Sequence, residues 1–401
     1  MTGAANIAGM VAAGFESVRL AFAEGQSIDR GGAQLCIYRH GERVVDLWTT
    51  RDREHDRDFD GESLTVLMSC TKGAVALAAN MLSERGLLDF DAPVARYWPE
   101  FAAGGKSGIL VRHLLTHAAG LMGYDPESGM GASDILDWQK STDALARMTP
   151  LWTPGTAYLY HFLTFGFLLG EVMRRITGKS FGHFFHDEIA SPLGLEMWIG
   201  LPEAEEHRVA HHFSSLPAVT EEQWRALFAA SGIDAESRLS RAILHAFKTT
   251  DEAIHRVLTT RAGHAAEIPA GNGIGNARAL ARMYASMIGP VDGVRLLKAE
   301  TMERARTPQT IGLGAPGNLR IFSRGEPQWF GFGFELPRES EPMLGKGSFG
   351  HAGAGGRMGF AHPESGIAVA YVANNMLWNN LVPDPRWVPW TEALREIAGL
   401  K

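Results

Sequence analysis

Apolar positions change period along this chain. From Gly9 to Glu24 they fall at Met10, Val11, Phe15, Val18, Leu20, Ala21 and Phe22, the spacing of an amphipathic helix. Gln34 to Trp48 reads as a β-hairpin that turns at Gly41. Helical patterns, broken by loops, dominate from Ser69 to about Ser286. Strand patterns return at 329–335, 356–361 and 367–373, the last two joined by the tight turn Pro363-Glu364-Ser365-Gly366, which predicts antiparallel pairing. A final helix is predicted from Trp390 to about Ala398. Strands from both ends with a helical middle predict an α/β fold: an antiparallel sheet domain built from residues 1–75 and 315–401, flanked by helices, and a mainly helical domain over 76–314. No internal repeat or low-complexity tract is visible. Residues 202–266, with mixed charge and scattered histidines, are the least legible part.

Composition narrows the function classes. The chain has 401 residues, 45% hydrophobic and 21% charged, the balance of an ordinary globular protein. A net charge of -7 gives nucleic-acid binding no electrostatic support. Cys36 and Cys70 are the only cysteines, too few for a disulfide framework or a structural zinc site. The fifteen histidines form no H-E-x-x-H motif, so neither metal nor other cofactor is expected. The segment Met1 to Met10 lacks the basic and long apolar regions of a signal peptide, and no later segment is apolar enough to span a membrane. A cytoplasmic protein without membrane or nucleic-acid partners is the expectation.

Three segments carry chemistry. Ser69-Cys70-Thr71-Lys72 opens an almost uninterrupted run of small and apolar residues from Gly73 to Leu82. On a helix, positions i and i+3 share a face, so Lys72 Nζ reaches back toward Ser69 Oγ. Burial favours the neutral amine, and a neutral amine beside a hydroxyl is a general base beside a nucleophile. The same spacing also arises by chance. In Pro154 to Phe162, a Pro-Gly turn leads into Tyr158, Tyr160 and Phe162. These are either packing aromatics or, for a tyrosine, a hydroxyl aimed into a cleft where a nearby ammonium would lower its pKa. Phe349 to Gly356 holds Gly350, Gly353, Gly355 and Gly356: a turn between strands, or a strand that ligand or backbone approaches closely, with N–H groups free to serve an oxyanion.

Two further motifs are read as structural. Gly178-Lys179-Ser180-Phe181-Gly182 fits the G-x-S-x-G elbow, but that elbow needs a strand before its serine. Here a helix precedes, so Ser180 is predicted to N-cap the next helix. Gly271-Asn272-Gly273-Ile274-Gly275 has no strand leading into it and is not a dinucleotide fingerprint; Asn276 capping a helix over 277–288 explains it.

Taken together, Ser69-x-x-Lys72, Tyr160 and His351-Ala352-Gly353 resemble the class C β-lactamase-like serine hydrolases, and more closely their family VIII carboxylesterase branch. Val111 to Leu121, Pro154-Gly155-Thr156, Tyr160 to Gly166 and Gly350 to Gly356 are similar to that family's signatures. The resemblance implies a β-lactamase/transpeptidase-like fold with Ser69 as nucleophile, Lys72 as its base and Tyr160 as the acid/base partner that protonates the leaving group. It also implies an oxyanion hole formed by the N–H groups of Ser69 and Ala354, and substrate contacts from Phe162, His351 and Gly353. Two departures bear on substrate. Phe162 stands where the β-lactamases carry an asparagine that grips the substrate's amide. His351-Ala352 replace a lysine and a hydroxyl, leaving a weaker, pH-dependent cation. The expected reaction is hydrolysis of short-chain carboxylic esters, small molecules, through an acyl-enzyme. Alternatives are β-lactam or small amide hydrolysis, acyl transfer to an alcohol, or a catalytically silent binding relative.

Overall fold

Strands from both ends of the chain meet in one sheet. The computed structural model describes residues 6–217, 219–230, 234–318, 328–378 and 382–400. Strand β1 (Ile7–Val11) and helix α1 (Glu16–Gln26) precede the hairpin of β2 (Ala33–Arg39) and β3 (Glu42–Thr49). The longer helices that follow are α2 (Thr71–Glu84), α3 (Thr164–Thr177), α4 (Glu221–Ala230), α5 (Arg238–Arg256) and α6 (Ala277–Ile288). Strands β4 (Phe349–Gly353), β5 (Arg357–His362) and β6 (Ile367–Ala373) and helix α7 (Val388–Ala398) complete the chain. The six-stranded antiparallel sheet has the order β1-β3-β2-β6-β5-β4. β6 therefore pairs with the amino-terminal hairpin, Ile367 opposite Arg39 and Ala373 opposite Ala33.

Each face of the sheet buries its own core. On one, α1 and α7 pack Phe15, Val18, Phe22, Trp387, Trp390 and Leu394 against Leu35, Ile37, Val45, Leu47, Phe360 and Tyr371. On the other, α6 lies over β2, β5 and β6. Helix α2 shares that second core and is buried on every side from Thr71 to Leu82, as a helix with no polar stripe must be. A small sheet places Ile274–Gly275 between Thr65–Val66 and Met197–Trp198, fastening the segment just ahead of Ser69. Among the described residues, no helix is long and apolar enough to cross a membrane.

Two sequence expectations give way. The first helix does not begin at Gly9: residues 7–11 form edge strand β1 instead. Gly9 has φ +105°, outside any helix, and a Cβ there would lie 2.0 Å from the Asp46 carbonyl oxygen. Only glycine lets β1 lie that close to β3. Residues 329–335 do not form a ladder strand either. They make only the bridges Phe330–Glu335 and Glu335–Gly350, because Gly331 and Gly333 (φ +89°) fold the segment back on itself. Elsewhere the hairpin, the antiparallel β5–β6 pair and the closing helix lie where the pattern put them, the helix starting at Val388, just ahead of Pro389.

Candidate active site

Ser69 is the partly exposed position in a buried stretch, on a single 3-10 turn (Met68–Cys70) leading straight into α2. Met68 has φ +50°, a left-handed conformation that costs an ordinary side chain roughly 1–2 kcal/mol. The surroundings hold it there. Leu67 N–H donates to Gly273 O (2.7 Å), Thr71 Oγ1 donates to Met68 O (2.6 Å), and Gly273 N–H donates to Thr71 Oγ1 (2.9 Å). The glycine loop 271–275 thus clamps the turn, in addition to preceding the helix that Asn276 caps by accepting from Ala279 N–H.

Lys72 lies one helical turn on and is fully buried. Its Nζ is 2.9 Å from Ser69 Oγ and 2.9 Å from Ala270 O. Burial pulls the amine down to about 7, partly opposed by the Glu335 carboxylate. In its neutral form the amine donates one N–H to Ala270 O and turns its lone pair toward the Ser69 hydroxyl. The nitrogen also sits 4.8 Å from the centre of the Tyr160 ring.

The Tyr160 hydroxyl faces Ser69 as well, which favours its ionised form. Its pKa moves opposite to the sequence expectation. Burial and the Glu335 carboxylate push the phenol well above its ordinary range, outweighing the lowering effect of Ser69. Tyr160 therefore rests protonated. Its backbone is fixed by Leu159 N–H donating to His117 O (3.1 Å), His161 N–H to His117 Nδ1 (3.0 Å) and Phe162 N–H to Met122 O (3.0 Å). His161 Nε2 in turn accepts from Leu121 N–H at 3.1 Å. Burial holds both imidazoles neutral, which lets each accept these bonds. The segment Val111 to Leu121 is thus the bed on which Tyr160 rests.

Strand β4 forms the third side. Gly353 lies against the nucleophile turn: a Cβ there would be 2.5 Å from Leu67 O, so no larger residue permits this approach. The turn after β4 is held through successive carbonyls. Gly353 O accepts from Gly356 N–H (3.1 Å), Ala354 O from Arg357 Nη1 (2.8 Å), Gly355 O from Arg386 Nη2, and Gly356 O from Trp387 Nε1 (2.9 Å). Because the Gly353 carbonyl points into the turn, the trans peptide aims the Ala354 N–H the other way. Ala354, Gly353, Ser69, Tyr160 and Phe162 all line one open cleft.

His351 is placed differently from expectation. It is fully buried behind the cleft wall, with Nδ1 donating to Ala352 O at 2.7 Å. Burial, with Lys72 nearby, lowers its pKa to about 3. It is a neutral imidazole at working pH, so the pH-dependent cation predicted at this position is absent. Ser180 is the N-cap of the short helix Phe181–Phe185 and donates to Glu267 Oε1 at 2.6 Å, as its context predicted. Among the described residues, no group of three or more His, Cys, Asp and Glu side chains is placed to hold a metal ion.

Three contributors escaped the sequence reading. Ala270 acts through its carbonyl and leaves no side-chain signal. Glu335 is a buried carboxylate whose Oε2 accepts from Ala352 N–H at 2.8 Å; a lone acid inside the aromatic run Trp329 to Leu336 was the available clue. Arg357, fully buried, joins the two sides of the site, donating to Ala354 O (2.8 Å) and to Val66 O (3.1 Å). An arginine at the head of an apolar strand was its only mark.

Comparison with known proteins identifies the family and the fold. A family model described as Beta-lactamase matches residues 18–388. The chain is 34% identical over 364 residues to Esterase/beta-lactamase LipL of Mycobacterium tuberculosis, covering 86% of this chain and 78% of that protein. A solved family VIII carboxylesterase superposes with a TM-score of 0.80 at 33% identity, covering 98% of this chain and all (100%) of that one. A penicillin-binding protein homologue from Caulobacter crescentus does so with a TM-score of 0.77 at 31% identity, covering 98% and 100%. The chain belongs to the beta-lactamase family, on the β-lactamase/transpeptidase-like fold.

Proposed function

We propose that this protein hydrolyses carboxylic esters, short-chain esters among them, through a serine acyl-enzyme. The observation that carries the reading is the buried Lys72 amine, 2.9 Å from Ser69 Oγ with its pKa drawn down to about 7. Lys72 takes the Ser69 proton as Oγ attacks the ester carbonyl. The oxyanion is received by the N–H groups of Ser69 and Ala354, each such donor lowering the barrier by about 3 kcal/mol. Tyr160, protonated at rest, gives its proton to the departing alkoxide and recovers one from the Lys72 ammonium. Water then repeats the sequence on the acyl-enzyme. The carboxylesterase and esterase relatives support the ester substrate.

Ester rather than β-lactam is favoured by what surrounds the serine. Phe162 offers no hydrogen bond to a substrate amide. His351 is neutral, and the nearby Arg338 is engaged by Glu341 at 2.6 Å. A β-lactam would leave its amide and carboxylate poorly paired, at a cost of about 1–3 kcal/mol each. The expected result is a kcat/KM for p-nitrophenyl butyrate at least about a hundredfold above that for nitrocefin. The ester profile should rise with pH through a midpoint near 7 as Lys72 loses its proton, since only the free amine accepts from Ser69. Because His351 stays neutral, no second change belonging to it is expected between about pH 6 and 8. Comparable kcat/KM for the two substrates would return the protein to lactam chemistry.

A further inference from the structure

The cleft is much larger than a small ester needs. Its volume is about 2160 Å³, against roughly 300–1,000 Å³ for an ordinary small-molecule site. The surplus lies against α4 and α5, within the segment that was least legible in the sequence. A continuous aromatic wall runs along it, starting at the candidate acid. Phe162 stands edge-on to Tyr160 (centroids 5.7 Å apart, 82°) and edge-on to Phe247 of α5 (4.7 Å, 65°). Trp224 of α4 stacks on Phe247 (4.6 Å, 30°). All three rings keep part of their surface exposed and all line the cleft, and they pack against a small core of Met122, Phe228, Ile243 and Leu244.

We propose that Phe162, Phe247 and Trp224 form a second subsite that seats an aryl or extended apolar group of the ester, so that esters carrying such a group are the better substrates. The proposal rests on the esterase reading and names its substrate class. The physics is that of aromatic recognition: flat rings held in fixed mutual orientation offer both apolar area and edge-to-face partners to an incoming ring. Each methylene moved from water onto the wall is worth up to about fourfold in kcat/KM.

The test compares matched substrates on two arms. On the acyl arm, p-nitrophenyl 4-phenylbutyrate is set against p-nitrophenyl butyrate; on the alcohol arm, phenethyl butyrate against ethyl butyrate. The wild-type protein should prefer the phenyl-bearing member on at least one arm by about tenfold or more. Trp224→Ala should cut that preference to about threefold or less. Phe247→Leu, which keeps apolar volume and so protects the packing of α5, should do the same. The readout is the ratio within an arm, so a general loss of active protein cancels. A wild-type ratio near one on both arms, or a preference that survives both variants while p-nitrophenyl butyrate is still turned over, would overturn the subsite and leave the esterase reading standing. Absence of turnover on every ester would overturn the reading itself, and the subsite with it.

Discussion

Replacing Lys72 with methionine is expected to lower kcat/KM for p-nitrophenyl butyrate by about 10³–10⁴-fold while leaving the fold more stable. The activity loss follows from removing the only amine within hydrogen-bond reach of Ser69 Oγ among the described residues. The stability gain follows from linkage. The Lys72 pKa falls from 10.5 to about 7 on folding, so between those values the unfolded chain holds a proton that the folded chain has released. The cost of burying this lysine is therefore greatest at and below about pH 7 and fades as the pH climbs toward 10.5. Near neutrality it is on the order of 4–5 kcal/mol. Losing the hydrogen bonds to Ser69 and Ala270 gives back about 1 kcal/mol each, for a net gain of about 2–3 kcal/mol and, in a chain of this length, a Tm higher by roughly 2–4 °C. Thermal unfolding and kinetics on one preparation check this. A variant that is inactive and also less stable would make Lys72 a structural residue rather than a base.

The second large effect is a failure of additivity. Tyr160→Phe removes the hydroxyl that faces Ser69 and is expected to cost about 10²–10⁴-fold in kcat/KM. The Lys72→Met, Tyr160→Phe double variant should be no more than about tenfold worse than the poorer single one, because the two form one relay: the proton that Lys72 takes from Ser69 is the one that reprotonates Tyr160 after it has protonated the leaving group. Burial lowers the Lys72 pKa and raises that of Tyr160. A Tyr160 held protonated by burial and Glu335 is what leaves Lys72 as the proton acceptor at rest. Single losses that simply multiply would place the residues in separate steps.

What could be read from the sequence was local. Ser69 and Lys72 face each other because a helix sets i and i+3 on one side, and no distant contact is needed to see it. The hairpin at Gly41 and the caps at Ser180 and Asn276 are likewise decided within a few residues. Tyr160 could be picked out only by its resemblance to a family signature. What holds it, His117 and His161, acts across more than forty positions, His161 N–H to His117 Nδ1 spanning 44 residues. Ala270 and Arg357 reach the site across still longer spans, 198 residues from Lys72 to Ala270 and 291 from Val66 to Arg357, and Glu335 acts on the backbone N–H of Ala352; all three work through backbone atoms, which side-chain patterns do not report. The edge strand at Ile7–Val11 was misread for a different reason. Its apolar residues suit either period, and the positive φ of Gly9 that decides between them is set by the neighbouring strand. The aromatic wall of α4 and α5 was hidden because Phe162, Trp224 and Phe247 come from three separate segments.

The central claim is that Ser69 is the nucleophile and that Lys72 makes it one. Fluorophosphonate labelling followed by peptide mass mapping tests it most directly, since the reagent is captured only by an activated serine hydroxyl. The account predicts a single adduct, on the peptide bearing Ser69, formed at a rate that rises with pH through about 7 and falls sharply in Lys72→Met. An adduct on Ser180, or labelling of Ser69 that is indifferent to the loss of Lys72, would contradict it.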